Sequence, residues 1–230
     1  MEIAKKLGLT DEIFARMVVK TKMLFSNVIG HAAELHYEKY LKSSKIDFIK
    51  AETDSHYDYI VDNKKEQVKR WESAGTNEKF LAINLTQTHG DRSGEGNFYH
   101  KKSFDKLVAY DVLFKSFKKF DINEIETNKR FEDYIVGKFK IQRESNNLLD
   151  NEQKEFLNLI KVKNKDYPDA LEKYKSKLKL NYLDILQKVC NLTLDEIDSL
   201  FTNENFRLVT GAKGFAAEEH FNVLLENNKL

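Results

Sequence analysis

The 230-residue sequence has one cysteine, one proline and nine glycines, and its scarcities exclude several classes of protein. A lone thiol, Cys190, closes no disulfide within the chain, which fits a reducing compartment. It lies near Val189 and Leu192 and pairs with no histidine in a recognisable motif, so it reads as a buried spectator rather than a nucleophile. The apolar runs stop far short of the roughly 20 residues that cross a bilayer. The N-terminus also lacks the basic, apolar and small-residue succession of a signal peptide, so a cytoplasmic protein without a membrane partner is expected. Charge of one sign is missing too: 38 Lys and Arg stand against 37 Asp and Glu, which excludes a uniformly basic nucleic-acid binder. The Gly-rich segment 86–96 lacks the Gly-Lys-Ser/Thr ending of a phosphate-cradling loop, so nucleotide hydrolysis is unsupported.

What is present suits one well-buried core with a helical appendage: 41% of residues are hydrophobic and 33% charged. Positive charge is local, at Lys64-Lys65, Lys69-Arg70, Lys101-Lys102, Lys118-Lys119 and within 173–179. Such clusters are either ordinary solvated faces or the rims of a cleft that binds phosphates.

The stretch 56–71 carries the sharpest signal. Two β-rich runs, 57–61 and 67–71, flank a polar centre in which Asp62-Asn63 reads as a two-residue hairpin turn. With that turn, Val61 pairs with Lys64 and Asp58 lies opposite Gln67. Because strand side chains alternate, Asp58, Gln67 and Lys69 then share one face. A carboxylate, an amide oxygen and an ammonium on one face suit metal-assisted hydrolysis of a phosphodiester. The two oxygens would hold a hard cation, and the lysine would orient water or stabilise developing charge. A surface hairpin bearing three ordinary polar residues is the plainer alternative.

Asp58, nine residues and then Gln67-Val68-Lys69 resembles the signature of the PD-(D/E)XK nuclease superfamily. Gly30-His31-Ala32-Ala33-Glu34 followed by Leu41 is similar to its first helix, and Tyr99 with 104–110 resembles the tyrosine and Asp-containing strand of some branches. The resemblance covers about residues 28–140. It implies an α/β fold, a restriction-endonuclease-like mixed central sheet flanked by helices; the composition beyond 145 adds a helical C-terminal region. It further implies Asp58, Glu34 and Gln67 as ligands of Mg²⁺ or Mn²⁺, Lys69 beside the attacking water, and double-stranded DNA as partner, bound by a homodimer. Gln67 stands where most members carry an acid, and no proline precedes Asp58. The implied activity is that of a type II restriction enzyme; a homing or repair-type nuclease, or a noncatalytic DNA-binding protein on the same fold, are the alternatives. Arg70, Arg92, Tyr99, Lys101 and Lys102 are the expected DNA contacts, with His89 beside Arg92 on the Gly-rich loop.

Elsewhere, 2–29 reads as helix, turn, helix, with Thr10 capping the second helix, and 28–41 as a helix with a broad apolar stripe. Residues 80–85 read as a strand suited to the sheet's centre, and 131–141 as helix or strand. Helices are expected over 152–162 and 170–189, on either side of Pro168. A boundary near 145 separates a nuclease-like core with its N-terminal helices, 1–145, from a helical region, 146–230. Within that region, 192–225 resembles 9–41. Asp195-Glu196-Ile197 and Gly214-Phe215-Ala216-Ala217-Glu218 follow Asp11-Glu12-Ile13 and Gly30-His31-Ala32-Ala33-Glu34 at an offset of 184, as in a duplication.

Overall fold

The turn at Asp62-Asn63 sets the register of the main sheet. Both residues take positive φ, 49° and 60°, as a two-residue type I′ hairpin requires. The turn pairs Val61 with Lys64, Ile60 with Lys65 and Tyr59 with Glu66, joining β2 (Tyr59–Val61) to β3 (Lys64–Arg70) in the expected register. In this computed structural model the described residues are 1–52, 55–71, 76–86, 98–143, 149–201 and 206–226, without the side chains of 206–207 and 222–226.

By its internal contacts the chain forms two units, Ala33–Leu157 and a helical unit of Met1–Ala32 with Asn158–Leu230. The N-terminal helices thus group with the C-terminal ones and not with the sheet. In the first unit, β1 (Phe48–Lys50), β2, β3, β5 (Lys106–Asp111) and β6 (Ser116–Asp121) form a mixed sheet in the order β1-β2-β3-β5-β6, with only the β3/β5 pair parallel. The expected α/β class with a mixed central sheet is what the chain adopts. β5 lies between two strands and is buried on both faces through Leu107, Val108, Ala109 and Tyr110.

A parallel pair needs a long crossover, and here 71–105 supplies it. That crossover contains β4 (Phe80–Asn84), which pairs antiparallel with β7 (Lys138–Gln142) as a separate two-stranded ribbon. The expectation that 80–85 is central is therefore corrected. Leu81, Ala82 and Ile83 are buried and only the end residues Phe80 and Asn84 are exposed, so it is the pairing with β7, outside the five-stranded sheet, that removes the strand from the centre. The ambiguous segment 131–141 ends in a strand.

Strand alternation divides the sheet's side chains into two sets. Tyr59, Glu66, Val68, Val108, Lys119, Tyr110 and Phe117 share one face, which α3 (Lys22–Ser43) covers: Tyr37 packs edge-on against Tyr59 and Phe117, and His36 stacks on Tyr110 at 5.4 Å. Glu66, 1% exposed, accepts from the Tyr37 hydroxyl and pairs with Lys119 at 3.1 Å. Gln67, Lys69, Leu107, Ala109, Lys118 and Phe120 share the other face.

The helical unit holds α1 (Glu2–Lys6), α2 (Asp11–Lys20), α5 (Tyr167–Leu178), α6 (Tyr182–Cys190), α7 (Leu194–Leu200) and α8 (Phe206–Glu226), while α3 and α4 (Asn151–Lys161) contribute to both units. Thr10 caps α2 as expected, accepting from Ile13 N at 3.3 Å. The single helix expected over 170–189 is two. Lys179 turns left-handed at φ 54°, and the Asn181 side chain caps the next helix by accepting from Asp184 N at 2.7 Å. Both proposed copies of the repeat contain a Thr-capped short helix and then a long one, starting at Lys22 and Phe206. Leu24, Val28 and Ala32 are buried in the first, and Leu208, Ala212 and Ala216 at the corresponding places in the second.

Because the left-handed backbone at position 62 clashes with a β-branched side chain, Asp62→Val is expected to cost about 1–2 kcal/mol. Asn63→Gly is expected to leave stability equal or higher. Urea denaturation of the two variants against wild type checks the pair.

Candidate metal and phosphodiester site

Asp58 directly precedes β2, and its backbone continues the pairing: Asp58 N donates to Glu66 O at 2.9 Å. This places its carboxylate beside β3. Oδ2 accepts from Val68 N at 2.7 Å and from Gln67 Nε2 at 2.5 Å. Gln67 is buried, and its Nε2 also donates to Val68 O at 3.2 Å. With its nitrogen committed to those acceptors, the amide has Oε1 left as its ligand atom. The orientation of an amide is assigned from such a network, and here two acceptors favour the same end.

Lys69 lies two residues further along the same face, half-buried, with Nζ 5.3 Å from the centre of the Tyr99 ring. Burial works against its charge, but the Tyr99 hydroxyl, which hydrogen-bonds to it, and the fields of Asp58 and Glu34 outweigh that and raise its pKa. The shift favours the ammonium form of Lys69. That form can orient water or stabilise negative charge, and Lys69 is poorly suited to removing a proton as a free amine.

Glu34 sits on α3, whose packing residues cover the opposite face of the sheet. The hydroxyl of Tyr59 donates to the Glu34 carbonyl at 3.1 Å, tying this turn of the helix to the hairpin. The Glu34 charge reaches Lys69 as the smallest of its named influences. Asp58 and Gln67 are thus in contact, with Lys69 on the same face, and Glu34 lies on the helix that covers the other face.

Asp58, the Gln67 oxygen and Glu34 together offer two carboxylates and one neutral oxygen. No group of three or more His, Cys, Asp or Glu suited to a metal occurs among the described residues. Mg²⁺ accepts such a sparse set, since it commonly keeps several waters and uses one or two carboxylates plus substrate phosphate. The carboxylate of Asp58 and the amide oxygen of Gln67 are donors of the kind that cation takes.

The expected DNA contacts fare differently. Tyr99, 6% exposed, is a neighbour of Lys69, with His56 edge-on to its ring at 6.4 Å. Arg70 is half-buried and donates to Trp71 O at 2.8 Å. Lys101 and Lys102 are exposed on the turn after His100. Arg92 and His89 lie outside the described residues. Glu66 was missed by the sequence reading, although a Glu beside Gln67 in a strand must point to the opposite face, where burial demands a partner. Asp111 and Arg143 were missed as well: they pair at 2.5 Å, and burial lowers the arginine pKa against the pull of its partner.

Gln67→Glu places a second carboxylate against Asp58 Oδ2. Without a cation the like charges repel, so the variant is expected to melt below wild type in chelator, and added Mg²⁺ is expected to narrow the gap. Thermal melts with and without Mg²⁺ check this; equal melting in chelator would show that the two side chains do not share a site.

Compared with known proteins, the sequence matches no family model and no curated protein. A solved bacterial homing endonuclease, I-Ssp6803I, is similar in structure over 66% of this chain and 95% of that chain, at 16% identity and a TM-score of 0.40.

Proposed function

We propose that this chain is a divalent-cation-dependent endonuclease acting on double-stranded DNA, a PD-(D/E)XK enzyme of the Gln-x-Lys kind. The observation that carries the reading is the Asp58–Gln67 contact at 2.5 Å beside a lysine held positive. Asp58 and the Gln67 oxygen would hold Mg²⁺ or Mn²⁺, with Glu34 completing the set. The bound cation would supply Lewis-acid stabilisation of the phosphate charge.

The residues themselves divide the remaining work. Val68 N and Gln67 Nε2 fix the Asp58 carboxylate. Lys69 places a water in line with the scissile phosphate and offsets the charge that grows on the phosphate oxygens; as the water oxygen bonds to phosphorus it gives up its proton to solvent, and the P–O bond to the leaving oxygen breaks, that oxygen taking a proton from solvent. Tyr99 holds the ammonium in place. Net neutrality suits such an enzyme, because exposed Lys101 and Lys102 can meet phosphates while carboxylates occupy the site. A homodimer would present two copies of the site to a two-fold DNA sequence. Restriction and homing enzymes would share this chemistry and differ in the length of DNA they read. No helix among the described residues is long and apolar enough to cross a membrane.

The rival reading, a DNA-binding protein with a weakened site, is favoured by one observation, the neutral Gln67 where a third charge would strengthen cation binding. Plasmid nicking separates the two. Wild type is expected to nick with Mg²⁺ or Mn²⁺ and to stop in chelator, and Asp58→Ala and Lys69→Ala are each expected to lose about 100-fold or more. DNA binding without cation-dependent cleavage in all three proteins would establish the rival.

A further inference from the structure

The outward face of the β4/β7 ribbon is the surface that the proposed chemistry leaves unused. Phe80 pairs with Gln142, Ala82 with Lys140 and Asn84 with Lys138, so these six side chains lie on one face. All but Ala82 are exposed. On the inner face Leu81, Ile83 and Ile141 are buried, and Phe139 packs edge-on against Phe120 at 5.2 Å. Phe120 shares its face of the main sheet with Leu107 and Gln67. The ribbon is therefore anchored on the side to which Gln67 and Lys69 point, and turns its polar face away from it. An antiparallel bridge from Trp71 to Ile83 fastens the ribbon to the end of the strand that carries Lys69.

The chemistry of that outward face is selective. It offers two ammonium groups, two carboxamides and a phenyl ring, and neither strand contains a carboxylate, in a chain with 37 Asp and Glu. The two lysines give the face a positive charge, complementary to a phosphate backbone. A two-stranded ribbon is one of the few elements that enter the B-DNA major groove, which is about 12 Å wide. Five residues at a rise of about 3.4 Å run roughly 17 Å, a length of about five base steps at 3.4 Å each. On the groove floor, the Gln142 carboxamide matches the adenine N6/N7 edge, lysine matches guanine O6/N7, and a phenyl ring meets the thymine methyl; Asn84, whose Oδ1 accepts from Thr86 N at 2.9 Å and Thr86 Oγ1 at 2.7 Å, offers its Nδ2 as a donor to a base acceptor such as N7 or O6.

We propose that the outward face of the β4/β7 ribbon docks in the major groove of duplex DNA, with Asn84 and Gln142 reading base edges and Lys138 and Lys140 binding guanine edges or phosphates. This inference rests on the nuclease reading and adds to it where sequence preference resides. It assigns the specificity contacts to a ribbon on the catalytic side of the sheet.

The test uses the full chain. A randomised duplex pool is selected for binding with Ca²⁺ in place of Mg²⁺. Wild type, Asn84→Ala, Gln142→Ala and the double variant Lys138→Ala/Lys140→Ala are then titrated on the selected and a scrambled duplex across a salt series. The Gln142 and lysine side chains are exposed, so those variants should melt with wild type; Asn84→Ala also loses the turn contacts to Thr86, so Asn84→Asp, which keeps the acceptor and removes the donor, is titrated beside it. Each amide variant is expected to lose about 10- to 100-fold on the selected duplex and little on the scrambled one, and to lose base preference at its own position when selection is repeated. The lysine variant is expected to weaken on both duplexes, with a log–log salt slope shallower by about two for two lost phosphate contacts. Amide variants that select the same sequence with unchanged affinity would overturn the ribbon assignment, and wild-type nicking would leave the nuclease reading standing. Wild type that binds no duplex would overturn both.

Discussion

A single oxygen, Oδ2 of Asp58, accepts from both the Val68 amide and the Gln67 carboxamide, and the candidate site depends on that double contact. It exists only while Asp58 lies opposite Gln67. A slip of one residue would send Gln67 and Lys69 to the face that packs under α3 and bring Glu66 and Val68 in their place. The guard against that slip is the two-residue turn, whose positive φ values at Asp62 and Asn63 admit one register. Turn chemistry at the tip of the hairpin therefore fixes the geometry at its base.

The same alternation explains why adjacent residues of β3 differ so much in role. Glu66 faces the α3 side, where burial would be costly for a lone carboxylate, and it is answered by the Tyr37 hydroxyl and Lys119. Gln67 faces the other way, toward Asp58, with Lys69 held positive just beyond it. One face of the strand contributes a satisfied core and the other an arrangement suited to phosphate chemistry. The ribbon of β4 and β7 packs its apolar side on that second face, so two polar surfaces end up on the same side of the sheet.

The hairpin was legible because its signals are local: a turn pair with special backbone needs and a period of two on either side. The Thr10 cap was legible for the same reason. The ribbon was not, because its partner strands lie more than fifty residues apart and an apolar run of four residues, 80–83, reads alike at a sheet's centre or in a ribbon. The break at Lys179 was hidden because lysine seldom turns left-handed, and the Asn181 cap that follows could pass for a residue on a helix surface. Glu34 was placed near the cation by resemblance alone. Whether a helical carboxylate reaches across a sheet depends on packing distance, which spacing along the chain does not encode.

The central claim is that Asp58 and Gln67 border one cation-sized hollow. Anomalous diffraction from crystals soaked in Mn²⁺ measures this directly. The account predicts a peak at about 2.1 Å from an Asp58 carboxylate oxygen and from Gln67 Oε1, a distance typical of a small hard cation. Ordered Asp58 and Gln67 side chains with no peak between them, or a peak held only by other residues, would contradict it.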